Sequence, residues 1–194
     1  MQFPEGTLGW IFATSRTDVL PYCATIPDPA AGPVSICPGN GAPAIDAITS
    51  TWEALVALSC AAMAHRFTIL VNVCDLQDCT DHPACPIDGM WLRNTEVALG
   101  PDGTLLTRYY KSHLFGEANI FNPVPAAERV LSSAVLPIPH TTVTAGILTC
   151  FDMEFAYPWR NLSSVYHVRH ALVSSWYASA HFTFSETVKL TSKS

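Results

Sequence analysis

Val143-Thr-Ala-Gly-Ile-Leu-Thr-Cys-Phe-Asp-Met-Glu-Phe155 is a short apolar run, rich in β-branched residues, that ends at Cys150 and turns at once acidic and aromatic. Such a run reads as a buried strand. A strand ending at Cys150 holds the thiol at a sheet edge, with its sulfur facing a pocket. Rigid presentation of that kind suits a nucleophile. Free cysteine also packs as a small hydrophobe, so the stretch alone does not separate packing from chemistry.

The surrounding segments supply the rest of an α/β pattern. Residues up to Pro38 carry prolines at 4, 21, 27, 29, 33 and 38 and read as loop with short helical turns. Ala44 to Arg66 places Ile45, Ile48, Trp52, Leu55, Cys60 and Met63 on one helical stripe. Phe67 to Cys74 then reads as a strand buried on both faces, as in sheets covered by helices. Asp75 to Asp88 reads as a polar loop, and Asn94–Leu99 and Thr104–Tyr110 flank a Gly100-Pro-Asp-Gly103 hairpin turn. Pro123 to Pro139 reads as loop plus an edge segment, Pro158 to Tyr166 as a short helix and His170 to Trp176 as another buried strand. Residues 177 to 194 turn polar and look like an unplaced tail.

With 194 residues, 49% hydrophobic and 13% charged, the chain suits one sizeable domain with a real core. A net charge of −6 without runs of like charge offers no electrostatic footing for nucleic acid or an anionic membrane. The longest apolar stretch, Ala54 to Cys74, is interrupted by His65 and Arg66 and does not read as a membrane span. Met1-Gln2-Phe3-Pro4-Glu5 lacks the basic and apolar regions of a signal peptide.

Seven cysteines are many for a chain kept in a reducing compartment. Setting Cys150 aside leaves six, compatible with up to three disulfides and export. The loop Cys74-x4-Cys79-x2-His82-x2-Cys85 also offers three thiols and an imidazole, a conceivable zinc set, though paired C-x2-C spacing is missing. His113, His140, His167, His170 and His181 show no site-like spacing. Asn161-Leu162-Ser163 is a glycosylation sequon.

Three segments each bring one chemically distinctive residue to a strand end: Phe3-Pro4-Glu5, Arg108-Tyr-Tyr-Lys111-Ser-His-Leu-Phe-Gly-Glu117 and Leu148-Thr-Cys150-Phe-Asp-Met-Glu-Phe155. In that order they resemble the nitrilase, or carbon-nitrogen hydrolase, superfamily, and within it the secreted vanin (pantetheinase) and biotinidase branch. Ile26-Pro-Asp-Pro29, Cys37-Pro38, Leu58-Ser-Cys60, Cys85-Pro-Ile-Asp-Gly89 and Asn94-Thr95 have counterparts in that branch. The likeness runs from Phe3 to about Trp176.

The resemblance implies an αββα sandwich and an amidohydrolase with a Glu5, Lys111 and Cys150 triad, acting on a small-molecule amide such as a pantetheine or biocytin without a cofactor. Cys150 would form a thioester acyl-enzyme, Glu5 would carry the proton, and Lys111 with the Phe151 N–H would stabilise the oxyanion. Lys111 would also favour the thiolate. Glu117 would position substrate and lysine. The branch pairs Cys79 with Cys85, implies no metal, and places its members outside the cell or at its surface. Compared with the branch, the first strand and helix and the last strands are missing, which makes residues 1–176 a partial domain. Glu5 is then expected to lack the strand that fixes it, and the piece to be poorly folded and weakly active, or an inactive member with a binding or regulatory role.

Overall fold

Ile69 to Asp78, which follows the first long helix, forms a ten-residue interior strand of the larger sheet. The computed structural model describes residues 1–38, 49–130 and 134–176. The strands are β1 (Cys23–Ala24), β2 (Val34–Ser35), β3 (Ile69–Asp78), β4 (Met90–Leu99), β5 (Thr104–Tyr110), β6 (Val135–Pro137), β7 (Thr144–Thr149) and β8 (His170–Ser174). The helices are α1 (Arg16–Val19), α2 (Ser50–His65) and α3 (Ala156–Ser164). One sheet has the order β1-β3-β4-β5-β2 and the other β6-β7-β8.

The alternation of side chains along β3 and β4 generates the layers. Val71, Val73, Val97 and Leu99 face α2 and pack with Trp52, Leu55 and Ala62. Leu70 and Ala98 face the opposite way, onto Leu136, Ile147 and Leu148 of the smaller sheet and Leu162 of α3. The result is helix, sheet, sheet, helix, the sandwich expected. The larger sheet is covered on both faces over this region, which is why β3 opens with apolar residues pointing both ways.

Several boundaries move. β3 continues four residues past Cys74, to Asp78, and β4 begins at Met90, because the two strands pair antiparallel from Ile69 with Leu99 to Asp78 with Met90. Ladder hydrogen bonds outweigh the weak strand preference of Asp75, Gln77 and Asp78. β5 keeps its expected bounds, Thr104–Tyr110, so that Lys111 follows it directly. Of the expected helix from Ala44, residues 50–65 are helical, and Ile45 and Ile48 lie outside the described residues, as does the tail from 177. The buried stripe is Thr51, Trp52, Leu55, Ser59 and Ala62, so Cys60 and Met63 sit at its flank. β8 is only half-buried over Ala171–Val173, not fully buried as its composition implied. Among the described residues no helix is long and apolar enough to cross a membrane.

Among the described residues no strand precedes Glu5, as expected, but a single bridge ties the N-terminus to the sheet. Gln2 bridges to Leu70 in parallel, with Phe3 N–H donating to the Leu70 carbonyl and Leu70 N–H to that of Met1. Glu5 therefore follows a short stretch already added to the sheet.

Six cysteines form Cys23–Cys74, Cys37–Cys60 and Cys79–Cys85, and Cys150 is the free one. All three thiols of the conceivable zinc loop are therefore spent in disulfides. Cys23–Cys74 closes a sequence separation of 51 and Cys79–Cys85 one of 6. Loop-closure entropy scales with the logarithm of that length, giving about 4 kcal/mol for the first and about 2 for the second. Replacing Cys23 and Cys74 by alanine is accordingly expected to lower the unfolding free energy about twice as far as replacing Cys79 and Cys85, measured by urea denaturation.

Candidate active site

The segment after β5 carries Lys111, which is only 2% exposed where a hairpin end would ordinarily leave a lysine in water. Its Nζ lies 2.7 Å from Glu5 Oε1 and 2.6 Å from Glu117 Oε1. Burial opposes the ammonium charge, but the two carboxylates together outweigh it and hold the lysine pKa above its ordinary value. Glu117 is pinned on its other oxygen by the Phe115 N–H, 2.7 Å away.

Glu5 is 4% exposed, far from the solvated terminal carboxylate its position suggests. Asn94 Nδ2 donates to it at 2.8 Å and to Glu117 at 3.3 Å. Gly6, next in the chain, turns with φ +71, and a Cβ there would meet Ile11 Cβ at 2.6 Å. Glycine thus lets the chain fold back immediately after Glu5. The Gly6 N–H and the Trp10 indole both donate to Asn72 Oδ1, at 2.9 and 3.0 Å.

Cys150 opens a 3-10 turn at the end of β7 with φ +43, a left-handed conformation that non-glycine residues rarely hold. Asp152 braces the turn, accepting from Thr149 N–H at 3.2 Å, Tyr109 Oη at 2.9 Å and His113 N–H at 2.9 Å. The His113 ring stacks on Phe155 at 3.8 Å, so this histidine is structural. One carboxylate thereby ties the cysteine turn to the segment that carries Lys111.

Glu5, Lys111, Glu117, Cys150 and Phe151 line one cavity of about 850 Å³, together with Trp10, Phe115 and Trp176. All five residues singled out from sequence for chemistry are therefore brought together. A separate cavity of about 380 Å³ beside Arg108 and Tyr110 holds none of them. Asn161 lies elsewhere, half-buried on α3.

The thiol itself departs from expectation. Burial raises the Cys150 pKa, and the Glu5 carboxylate adds to that, against the Ser175 hydroxyl and Lys111. The cation is already matched by two carboxylates, so it does not hold a resting thiolate. The cysteine rests as a thiol with a carboxylate beside it.

Sequence reading missed Asn72, Glu96, Asp152 and Ser175. Asn72 and Glu96 carried a usable signal, as the polar residues inside strands that are otherwise buried, where every polar group needs a partner. Glu96 accepts from Asn72 at 3.0 Å, Thr149 at 3.4 Å and Ser174 at 3.1 Å. Burial pushes its pKa up to about 8.

The layering of helix, sheet, sheet and helix is one already seen among solved structures. The solved structure of an N-terminal amidase with an Asn-Glu-Ala peptide shares the architecture at a TM-score of 0.55 and 15% identity, over 91% of this chain and 38% of that one. Residues 30–166 match the family described as carbon-nitrogen hydrolase. The chain belongs to the carbon-nitrogen hydrolase family. Biotinidase from Takifugu rubripes is 34% identical over 161 residues, which is 80% of this chain and 29% of the relative. Pantetheinase from Homo sapiens is 34% identical over 167 residues, 85% of this chain and 30% of the relative. The chain thus spans under a third of the length of these relatives.

Proposed function

We propose that the protein hydrolyses a linear amide of a small molecule, of the pantetheine or biocytin kind, through a thioester on Cys150. The observation that carries this reading is the Glu5–Lys111–Glu117 bridge opening into the same cavity as Cys150. Family membership and the biotinidase and pantetheinase relatives support it.

In this mechanism Glu5 accepts the thiol proton as the Cys150 sulfur attacks the carbonyl carbon. The C–S bond forms while the carbonyl π pair moves to oxygen. That oxyanion is held by the Lys111 ammonium and the Phe151 N–H. Glu5 then returns its proton to the amine as the C–N bond breaks. Water, deprotonated by Glu5, finally cleaves the thioester. Glu117 holds the lysine in place. Three disulfides support a location outside the cell or at its surface, where Asn161 would be available for glycosylation.

Incubation with pantetheine or biocytin, acid quench and intact-mass measurement should detect the acyl adduct, and Cys150→Ala should abolish it. An adduct that survives Cys150→Ala would remove the thioester. Absence of both adduct and turnover with either amide would favour a binding or regulatory member of the family.

A further inference from the structure

The end of β8 brings to Cys150 a group that the mechanism above does not use. β7 and β8 run parallel, with Thr149 paired to Ser174 as the last pair in register. The residues that follow this pair are Cys150, which lines the cavity together with Trp176, and Ser175, whose side chain lies close enough to act on the Cys150 thiol. The Ser175 Oγ is buried and has no hydrogen-bond partner of full geometry among the described residues. Its neighbour Ser174, by contrast, donates to Glu96 and accepts from Gln2. An unmatched buried hydroxyl costs about 1–3 kcal/mol, so its place needs a reason.

We infer that Ser175 is a further catalytic residue, whose hydroxyl donates a hydrogen bond to the Cys150 sulfur as the thiolate forms. A hydroxyl with nothing better to bond is free to rotate toward the sulfur when negative charge develops there. Hydrogen bonds to an ionised partner are roughly twice as strong as neutral ones. The charged groups around Cys150 cannot do the same. Lys111 is held by Glu5 and Glu117, and Glu5, Asp152 and Glu154 are acidic residues that disfavour a second negative charge. A hydrogen bond from the Ser175 hydroxyl works against burial and Glu5 in setting the thiol pKa. Loss of the donor therefore raises that pKa and slows every reaction that needs the thiolate.

The inference rests on Cys150 being the attacking group, and its test does not need amide turnover. Because the other six cysteines are in disulfides, iodoacetamide reports on Cys150 alone. The full chain, with Cys150→Ser as the blank, is alkylated across a pH series. Ser175→Ala is expected to move the midpoint of the rate profile up by about one unit and to slow alkylation near neutral pH about tenfold. Ser175→Thr, which keeps the hydroxyl, is expected to stay close to the parent. Ser175→Gly replaces the alanine variant if that one does not fold, as judged by circular dichroism and an intact disulfide map. An unchanged midpoint on losing the hydroxyl overturns the inference, as does a threonine variant that behaves like alanine. A shifted midpoint in a chain that turns over no amide supports the role of Ser175 and removes the amidase reading instead.

Discussion

Replacing Lys111 with methionine is expected to lower amide turnover by about 10² to 10³-fold and to destabilise the chain by about 3–5 kcal/mol. The two effects share one origin. Methionine fills much the same volume but carries no charge, so Glu5 and Glu117 are left facing each other across the Asn94 amide, which already donates to both. Two carboxylates that close cannot both stay ionised, and one takes a proton. A protonated Glu5 cannot accept the thiol proton, and the oxyanion loses its cation at the same time. The loss should fall on kcat more than on KM, because both roles belong to the transition state. Steady-state kinetics and urea denaturation measure the two parts. A variant that keeps turnover within about threefold would remove Lys111 from the chemistry, on the scale set by single oxyanion donors.

Glu96→Gln is expected to flatten the fall in stability of the parent protein between pH 6 and pH 8. The buried carboxyl of the folded chain titrates near 8, whereas the ordinary value is 4.5. Between those values the folded protein keeps a proton that the unfolded chain has released. The contribution of this group to folding stability is then greatest below pH 4.5 and declines by about 1.4 kcal/mol per pH unit up to about pH 8, with no further change beyond it. Asp75, raised by burial to about 6 against the pull of the Ile26 N–H and Arg108, adds a decline of the same sign below pH 6. Glutamine imitates the neutral acid: its oxygen accepts from Asn72 and Thr149, and its nitrogen donates to Ser174 once that hydroxyl, which donates to the carboxylate, turns round. Urea midpoints taken at half-unit steps should show the parent losing stability from pH 6 to 8 and the variant nearly level. Parallel profiles would mean that Glu96 is ionised in the folded protein.

Much of the architecture was legible because it rests on local pattern. The Gly100 to Gly103 turn, the β7 run into Cys150 and the short helix before β8 each carry their signal within a dozen residues. The β3–β4 extension through Asp75 to Asp78 carried none, because a polar stretch joins a strand only when its partner is already in place. Clustering of the candidate site was legible through resemblance, as order and context of the Glu5, Lys111 and Cys150 segments. Spacing alone could not have joined residues that lie 106 positions apart, as Glu5 and Lys111 do.

By itself, then, the amino-acid sequence determined the strand that ends at Cys150, the layered α/β class, and the three segments that carry reactive groups. These depend on periodicity, turn residues and residue type, which are properties of neighbours along the chain. Tertiary structure alone decided the charge state of the site. Lys111 is matched by two carboxylates, Cys150 rests as a thiol, burial lifts Glu96 between the sheets to a pKa of about 8, and Ser175 follows β8 where Cys150 follows β7. Ionisation depends on burial and on which charges fold within a few ångströms, and neither distance exists until the sheets have packed.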